Sequence, residues 1–141
     1  VKIDLALACD YALIDQFGKL SIMGIFEHIW VHHFPVVHQR LHLVLRLKGR
    51  RTELGEHRVR IRLVDENDSE IINGNGTVTF SEPPAGVTEV EAGTVLVFDV
   101  PLDHAGQYRF EIFIDDERAA SVPLTVGIAP NSASSEAAGS P

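Results

Sequence analysis

Gln39-Arg40-Leu41-His42-Leu43-Val44-Leu45-Arg46-Leu47-Lys48 is the stretch that decides the fold. Leu41, Leu43, Leu45 and Leu47 alternate with Arg40, His42, Val44, Arg46 and Lys48. Successive side chains of a β-strand point to opposite faces. One face of this segment is therefore apolar and the other largely cationic, the pattern of a half-buried antiparallel strand. The same period of two recurs on both sides of it. Val59, Ile61 and Leu63 alternate with Arg58, Arg60 and Arg62, and Tyr108, Phe110, Ile112 and Ile114 alternate with Arg109, Glu111, Phe113 and Asp115. Upstream, Ile3, Leu5 and Leu7 alternate with Asp4, Ala6 and Ala8.

Extending this reading predicts strands at 2–9, 19–26, 28–33, 38–48, 56–65, 70–80, 94–101 and 107–115, with a ninth at 118–127. Turn chemistry falls between them. Gln16-Phe17-Gly18-Lys19, Asp65-Glu66-Asn67-Asp68-Ser69 and Asp115-Asp116-Glu117 are short polar connections, and Phe34-Pro35 interrupts the chain between two strands. Gly49 to Gly55 is a polar loop, and Ser81 to Gly93 is the longest connection. No helical period is sustained. Short strands at regular spacing predict an all-β sandwich or barrel.

Composition is consistent with this. The 141 residues suit one domain, and a chain of this size buries roughly two-thirds of its unfolded surface. A single cysteine excludes an intramolecular disulfide framework and a cysteine-rich zinc site. No apolar run approaches the roughly 18 residues of a membrane span. Leu5-Ala6-Leu7-Ala8-Cys9 superficially suggests a lipoprotein signal, but the apolar stretch is short, Asp4 interrupts it after Ile3, and it alternates as a strand. The expected compartment is the cytoplasm. Residues 129–141 have no large apolar side chain, so the expected organisation is a domain over 1–128 and a disordered tail over 129–141.

Leu102-Asp103-His104-Ala105-Gly106-Gln107-Tyr108-Arg109-Phe110 refines the prediction. Asp, Gly, Tyr and then a buried residue two positions on is the pattern of a tyrosine corner, in which the hydroxyl bonds back to the backbone at a strand entrance. Phe110 stands where antibody domains place a cysteine. The expected fold is a single immunoglobulin-like antiparallel β-sandwich of eight or nine strands.

Several segments carry a family resemblance: Cys9-Asp10-Tyr11-Ala12, Gly18-Lys19-Leu20-Ser21-Ile22-Met23-Gly24-Ile25-Phe26, Leu63-Val64-Asp65-Glu66-Asn67 and Gly106-Gln107-Tyr108-Arg109-Phe110-Glu111-Ile112. Together they are similar to a bacterial family of small, uncharacterised β-sandwich proteins, a domain of unknown function, over about residues 3–127. The resemblance implies a fold and no activity. Where an Asp-Gly hairpin turn is expected, this chain has Asn67-Asp68.

Charge is segregated along the chain. Eight of the twelve Lys and Arg residues lie between Arg40 and Arg62 against Glu53 and Glu56 alone, so that segment carries +6 and the remainder -14. Alternation places Arg40, Arg46 and Lys48 on one outward face, with Arg58, Arg60 and Arg62 beside them if the two strands pair as a hairpin. Like charges on adjacent strands repel. Either a third strand carrying Glu111 and Asp115 offsets them, or the face docks an anionic partner. Nucleic acid is disfavoured, because the pI is near 5.2 and no aromatics interleave with the arginines.

Five of the seven histidines, His28, His32, His33, His38 and His42, cluster in sequence. Residues i and i+4 of a strand stand about 13 Å apart, too far to share an ion. Only a cross-strand pair, such as His32 with His38 or His42, brings two to one metal. Asp65 to Glu70 has the composition of a calcium loop without its register or central glycine. No nucleophile elbow, phosphate loop or dinucleotide fingerprint is present. Trp30 shares strand parity with His28 and His32 and is exposed if those histidines face solvent, Phe113 falls on the outward parity beside Glu111 and Asp115, and both are candidate interface anchors.

The expected function is a non-enzymatic binding or assembly module, working through Arg40, Arg46, Lys48, Arg58, Arg60 and Arg62 with Trp30 or Phe113 as apolar anchors. The expected partner is another protein or a second copy of the chain, with no cofactor, no metal and no membrane. The alternatives are a metal-dependent enzyme using the His-rich strands and a module that binds an anionic polymer.

Overall fold

A computed structural model describes residues 1–130. Nine strands form: β1 (Lys2–Ile14), β2 (Leu20–Phe26), β3 (His28–Val31), β4 (Val36–Arg50), β5 (Gly55–Val64), β6 (Glu70–Phe80), β7 (Glu89–Leu102), β8 (Gly106–Ile114) and β9 (Glu117–Ile128). Each matches an expected strand, with β1 and β7 running about five residues further than the alternation suggested. A single 3-10 turn, Arg51–Glu53, lies in the loop after β4. The strands make two sheets, one in the order β2-β1-β4-β7 and the other β3-β9-β8-β5-β6. All pairs are antiparallel except β3 with β9, which is parallel. The molecule is a nine-stranded β-sandwich.

The alternating residues fill its interior. Leu41, Leu43, Leu45 and Leu47 of β4 face Val59, Ile61 and Leu63 of β5 and Phe110 and Ile112 of β8, all buried. Each such side chain contributes roughly 1.5–3 kcal/mol by leaving water. Phe110 is fully buried and packs its ring 6.0 Å from that of Phe98.

β4 and β5 do not pair. β4 lies between β1 and β7, and β5 between β6 and β8. The expected hairpin is therefore corrected to a crossing between sheets. Facing one another across the core lets both strands bury their apolar faces together, and the loop with its 3-10 turn spans the gap of about 10 Å between sheets. The six cations consequently do not share one face.

β4 also changes parity. Arg40 adopts a positive φ of 56° at a bulge between His38 and Leu41, and its amide donates to Asp99 Oδ1 at 3.0 Å. The extra residue lets Val36 face the core before the bulge and Leu41, Leu43, Leu45 and Leu47 after it. Arg40 stands at the bulge and not in simple alternation with Arg46 and Lys48.

A second correction concerns the outer face of β4. His42 and Val44 were expected to face solvent, yet they are 3% and 0% exposed. The distal half of the β1–β2 hairpin covers them. Leu20 lies against Gly93 of β7, across the sheet from its own strand, and a small second core joins Cys9, Ala12 and Val44 with Leu5, Leu7, Leu20, Ile22 and Val95. Gly24 permits the fold-over. Its φ is +70°, and a side chain there would collide with the Asp10 carboxyl group.

Ala129 still donates its amide to the Val31 carbonyl, one residue beyond the expected domain boundary. The rest of the expected tail, 131–141, lies outside the described residues.

Candidate functional site

The cations are largely neutralised within the chain. On the four-stranded sheet, Arg46 grips Asp4 with two bonds of 3.0 and 3.1 Å and lies 3.4 Å from Glu91, while Lys48 lies 3.4 Å from Asp4. On the other sheet, Arg62 pairs with Glu70 and Glu111, each at 2.8 Å, and Arg58 with Asp116 at 2.6 Å. Buried Glu111 also receives Arg109 at 3.1 Å and Arg118 at 3.8 Å. A carboxylate taken out of water requires such partners. Glu111 thus plays the offsetting role expected for it. Asp115 instead binds His57, at 2.6 Å, and the Arg58 amide, at 3.0 Å. Arg60 lies over the ring of Phe113, 4.5 Å from its centroid, so this aromatic is half-covered by a cation of its own sheet.

Two of the segments quoted for the family resemblance meet in space. Tyr108 donates its hydroxyl to the His104 carbonyl at 2.7 Å, the expected corner bond. Burial pushes the Tyr108 hydroxyl pKa up to about 12, with Asp103 adding to the effect. Glu66, from the β5–β6 turn, reaches into this corner. Its Oε1 accepts from His104 Nε2 at 2.8 Å and its Oε2 from the Gln107 amide at 2.9 Å. Gly106 is required there, because a side chain would occupy the place of the Glu66 carboxylate. The turn that lacks an Asp-Gly pair is closed by Asp65, whose Oδ1 accepts the amides of Asn67 and Ser69, with Asp68 taking a φ of 63°.

Asp65, Glu66 and His104 are the one group of three metal-ligand-type side chains that converges among the described residues. None belongs to the His28–His42 run, from which the alternative metal-dependent reading would have drawn its ligands. Its imidazole is already engaged at both nitrogens, with Asp103 at 2.6 Å on Nδ1. Asp103 and Glu66 raise the His104 pKa, and with a carboxylate on each nitrogen the ring ties the turn to the corner.

The unpaired surface lies elsewhere. β2 and β3 each lie at one edge of their sheet, with β7 and β6 at the opposite edges, and are joined through Glu27. Between them is a groove of about 260 Å³, lined by Asp10, Gly24, Ile25, Phe26, His28, Ile29, Trp30 and His38. Trp30 is 54% exposed, lies against the backbone of Gly127 and stacks on His28 with ring centroids 6.0 Å apart. Burial lowers the His38 pKa, and its ring lies 5.7 Å from that of Phe26. Next to the groove, the hairpin exposes Tyr11, Leu13, Met23 and Ile25, with Phe17 at its tip. β2 itself, Leu20 to Phe26, carries no charge.

Trp30 is therefore the one sequence-selected anchor that stands open beside an apolar surface. Sequence alternation missed the hairpin surface, because it treated β1 as ending at residue 9. The uncharged run from Leu20 to Phe26, longer than one buried face needs, was the available signal.

The arrangement offers a tryptophan face, an unpaired strand edge and apolar side chains beside one carboxylate. No curated protein matches the chain in sequence. Residues 4–127 match the sequence model of a family of unknown function, DUF6941, and by this match the chain belongs to that family.

Proposed function

We propose that the protein is a non-enzymatic binding or assembly module whose contact surface is the β1–β2 hairpin with the adjoining Trp30 groove. The observation that carries this reading is β2. It is an edge strand without a charge, backed by exposed Tyr11, Leu13, Met23 and Ile25. Proteins blunt such edges with charges, bulges or covering segments, because an open apolar edge pairs with another chain. The internal pairing of Arg46, Arg58 and Arg62 moves the weight of the reading away from the basic strands and toward Trp30. It weakens the anionic-polymer alternative for the same reason.

The Tyr108 corner bond and the order β9-β8-β5-β6 support an immunoglobulin-like reading of the sandwich. The cytoplasm remains the working compartment, and the buried, unpaired Cys9 thiol is compatible with it.

The test is site-directed photo-crosslinking in concentrated extract, with the reactive side chain placed at position 23, 30 or 56. Exposed Glu56 sits on β5, away from the hairpin, and is the control. Defined products from 23 and 30 with none from 56 are expected. Equal labelling from all three positions overturns the reading.

A further inference from the structure

We infer that the occupant of the β2 edge is a second copy of this chain, paired antiparallel through β2 across a two-fold axis. The inference rests on the binding-surface reading above and names its partner.

The first argument is charge complementarity. Lys19 and Glu27 flank β2 immediately before Leu20 and after Phe26. Both are exposed. Neither side chain belongs to an ion pair among the described residues. Antiparallel pairing of β2 with its own copy, centred on Met23, places Lys19 of each chain beside Glu27 of the other. A two-fold axis makes this pair twice, and the same register puts Leu20 opposite Phe26. The charges that bracket the strand thus fit its own copy.

The second argument is self-complementarity of what lies between. Met23 meets Met23 at the axis, and both are 66% exposed in the single chain. The seven residues from Leu20 to Phe26 carry no like charge that the pairing would bring together. The net charge of -8 opposes association at long range, but ions screen it over about 8 Å at physiological ionic strength. The two four-stranded sheets would join into one of eight strands, within the size range of natural sheets. An isologous contact of this kind closes on itself: it uses both β2 edges, and β7 becomes the outer strand at each end of the joined sheet.

The experiment is analytical ultracentrifugation of the full chain from low micromolar to millimolar concentration. Four variants accompany the wild type: Lys19→Glu, Glu27→Lys, the double swap, and Arg58→Glu as a control on the other sheet. Both substituted positions are exposed, and circular dichroism confirms folding of each variant. Should a reversal perturb the fold, Lys19→Gln and Glu27→Gln replace it. The expected result is a wild-type dimer. Either single reversal weakens it roughly tenfold, because two attractive pairs become repulsive. The double swap restores it, and Arg58→Glu leaves it unchanged. A dimer indifferent to Lys19 and Glu27 overturns the inference. So does a monomer at every concentration. If that monomer still gives crosslinks to another protein from position 23, the binding-surface reading stands and only the second copy is wrong. A monomer without crosslinks from 23 or 30 removes both.

Discussion

At the scale of single residues, the backbone exceptions carry most of the information. Gly106 exists so that Glu66 can reach the Gln107 amide and His104. Gly106→Ala should displace that carboxylate and cost about 1–3 kcal/mol, the range for a disrupted charged hydrogen bond. Urea unfolding checks this as a lower midpoint with an unchanged slope. Arg40 presents the opposite case. An arginine held at φ 56° pays about 1 kcal/mol for its left-handed conformation, and its side chain forms no ion pair among the described residues. Arg40→Gly should therefore raise stability by about that amount while removing a charge. A loss of stability would show that the arginine side chain supports the bulge. Both residues stand in the sequence as an ordinary glycine and an ordinary cation. Only the chain path around them makes one obligatory and the other strained.

At the scale of elements, the β1–β2 hairpin behaves as a lid over its own sheet. Cys9, Ala12 and Val44 are buried beneath it, and burial pushes the Cys9 thiol pKa up. Thiolate is the reactive form, so the native protein should resist a thiol reagent until it unfolds. Leu20→Ala removes the contact of the hairpin with Gly93 and Val95 and should speed Cys9 labelling about tenfold or more, through local opening of the hairpin. Timed labelling beside a circular dichroism spectrum distinguishes this from global unfolding. Unchanged labelling would mean that the hairpin is held by its ladder alone. The nine strands themselves were legible because alternation is a local property of each segment. The fold-over was not, because Leu20 and Gly93 are neighbours only after the sheet has formed.

At the scale of the whole molecule, titratable groups tie distant segments together and set a pH profile. His57 joins β5 to the β8–β9 turn through Asp115 and to the preceding loop through the Glu53 carbonyl. Its pKa is raised, first by Asp115 and then by Glu53, and that of His104 is raised by Asp103 and Glu66. The folded state therefore holds these protons more tightly than the unfolded chain. Their contribution is complete below the unfolded value of 6.5 and is lost as pH rises through the folded values. His38 acts with the opposite sign, since burial lowers its pKa, and it destabilises the fold as pH falls from 6.5 through its folded value. Asp4, Glu53, Glu70 and Asp115 all have lowered pKa values, so their contributions are lost at more acid pH. Unfolding free energy should peak near pH 6.5, and a paired His57→Gln, His104→Gln variant should flatten the decline on the alkaline side. A decline of unchanged slope in that variant would assign it to other groups.

Alternation, turn residues and the Tyr108 motif were sufficient to specify nine strands, a sandwich and the corner bond, because each depends on residues within about ten positions of one another. The same local rules gave Trp30 the parity of His28 and His32 but left its exposure open, and the structure shows it 54% exposed. They could not say which strands would be neighbours. Whether Arg46 and Arg60 share a surface depends on how two apolar faces close over a common core, and that closure sends β4 and β5 to different sheets. The pairing of Arg62 with Glu111, the clamp of Glu66 on the Tyr108 corner and the open edge of β2 all follow from that single choice of partners. Distances across a sandwich are set by packing of the whole chain, and no window of sequence contains both sides.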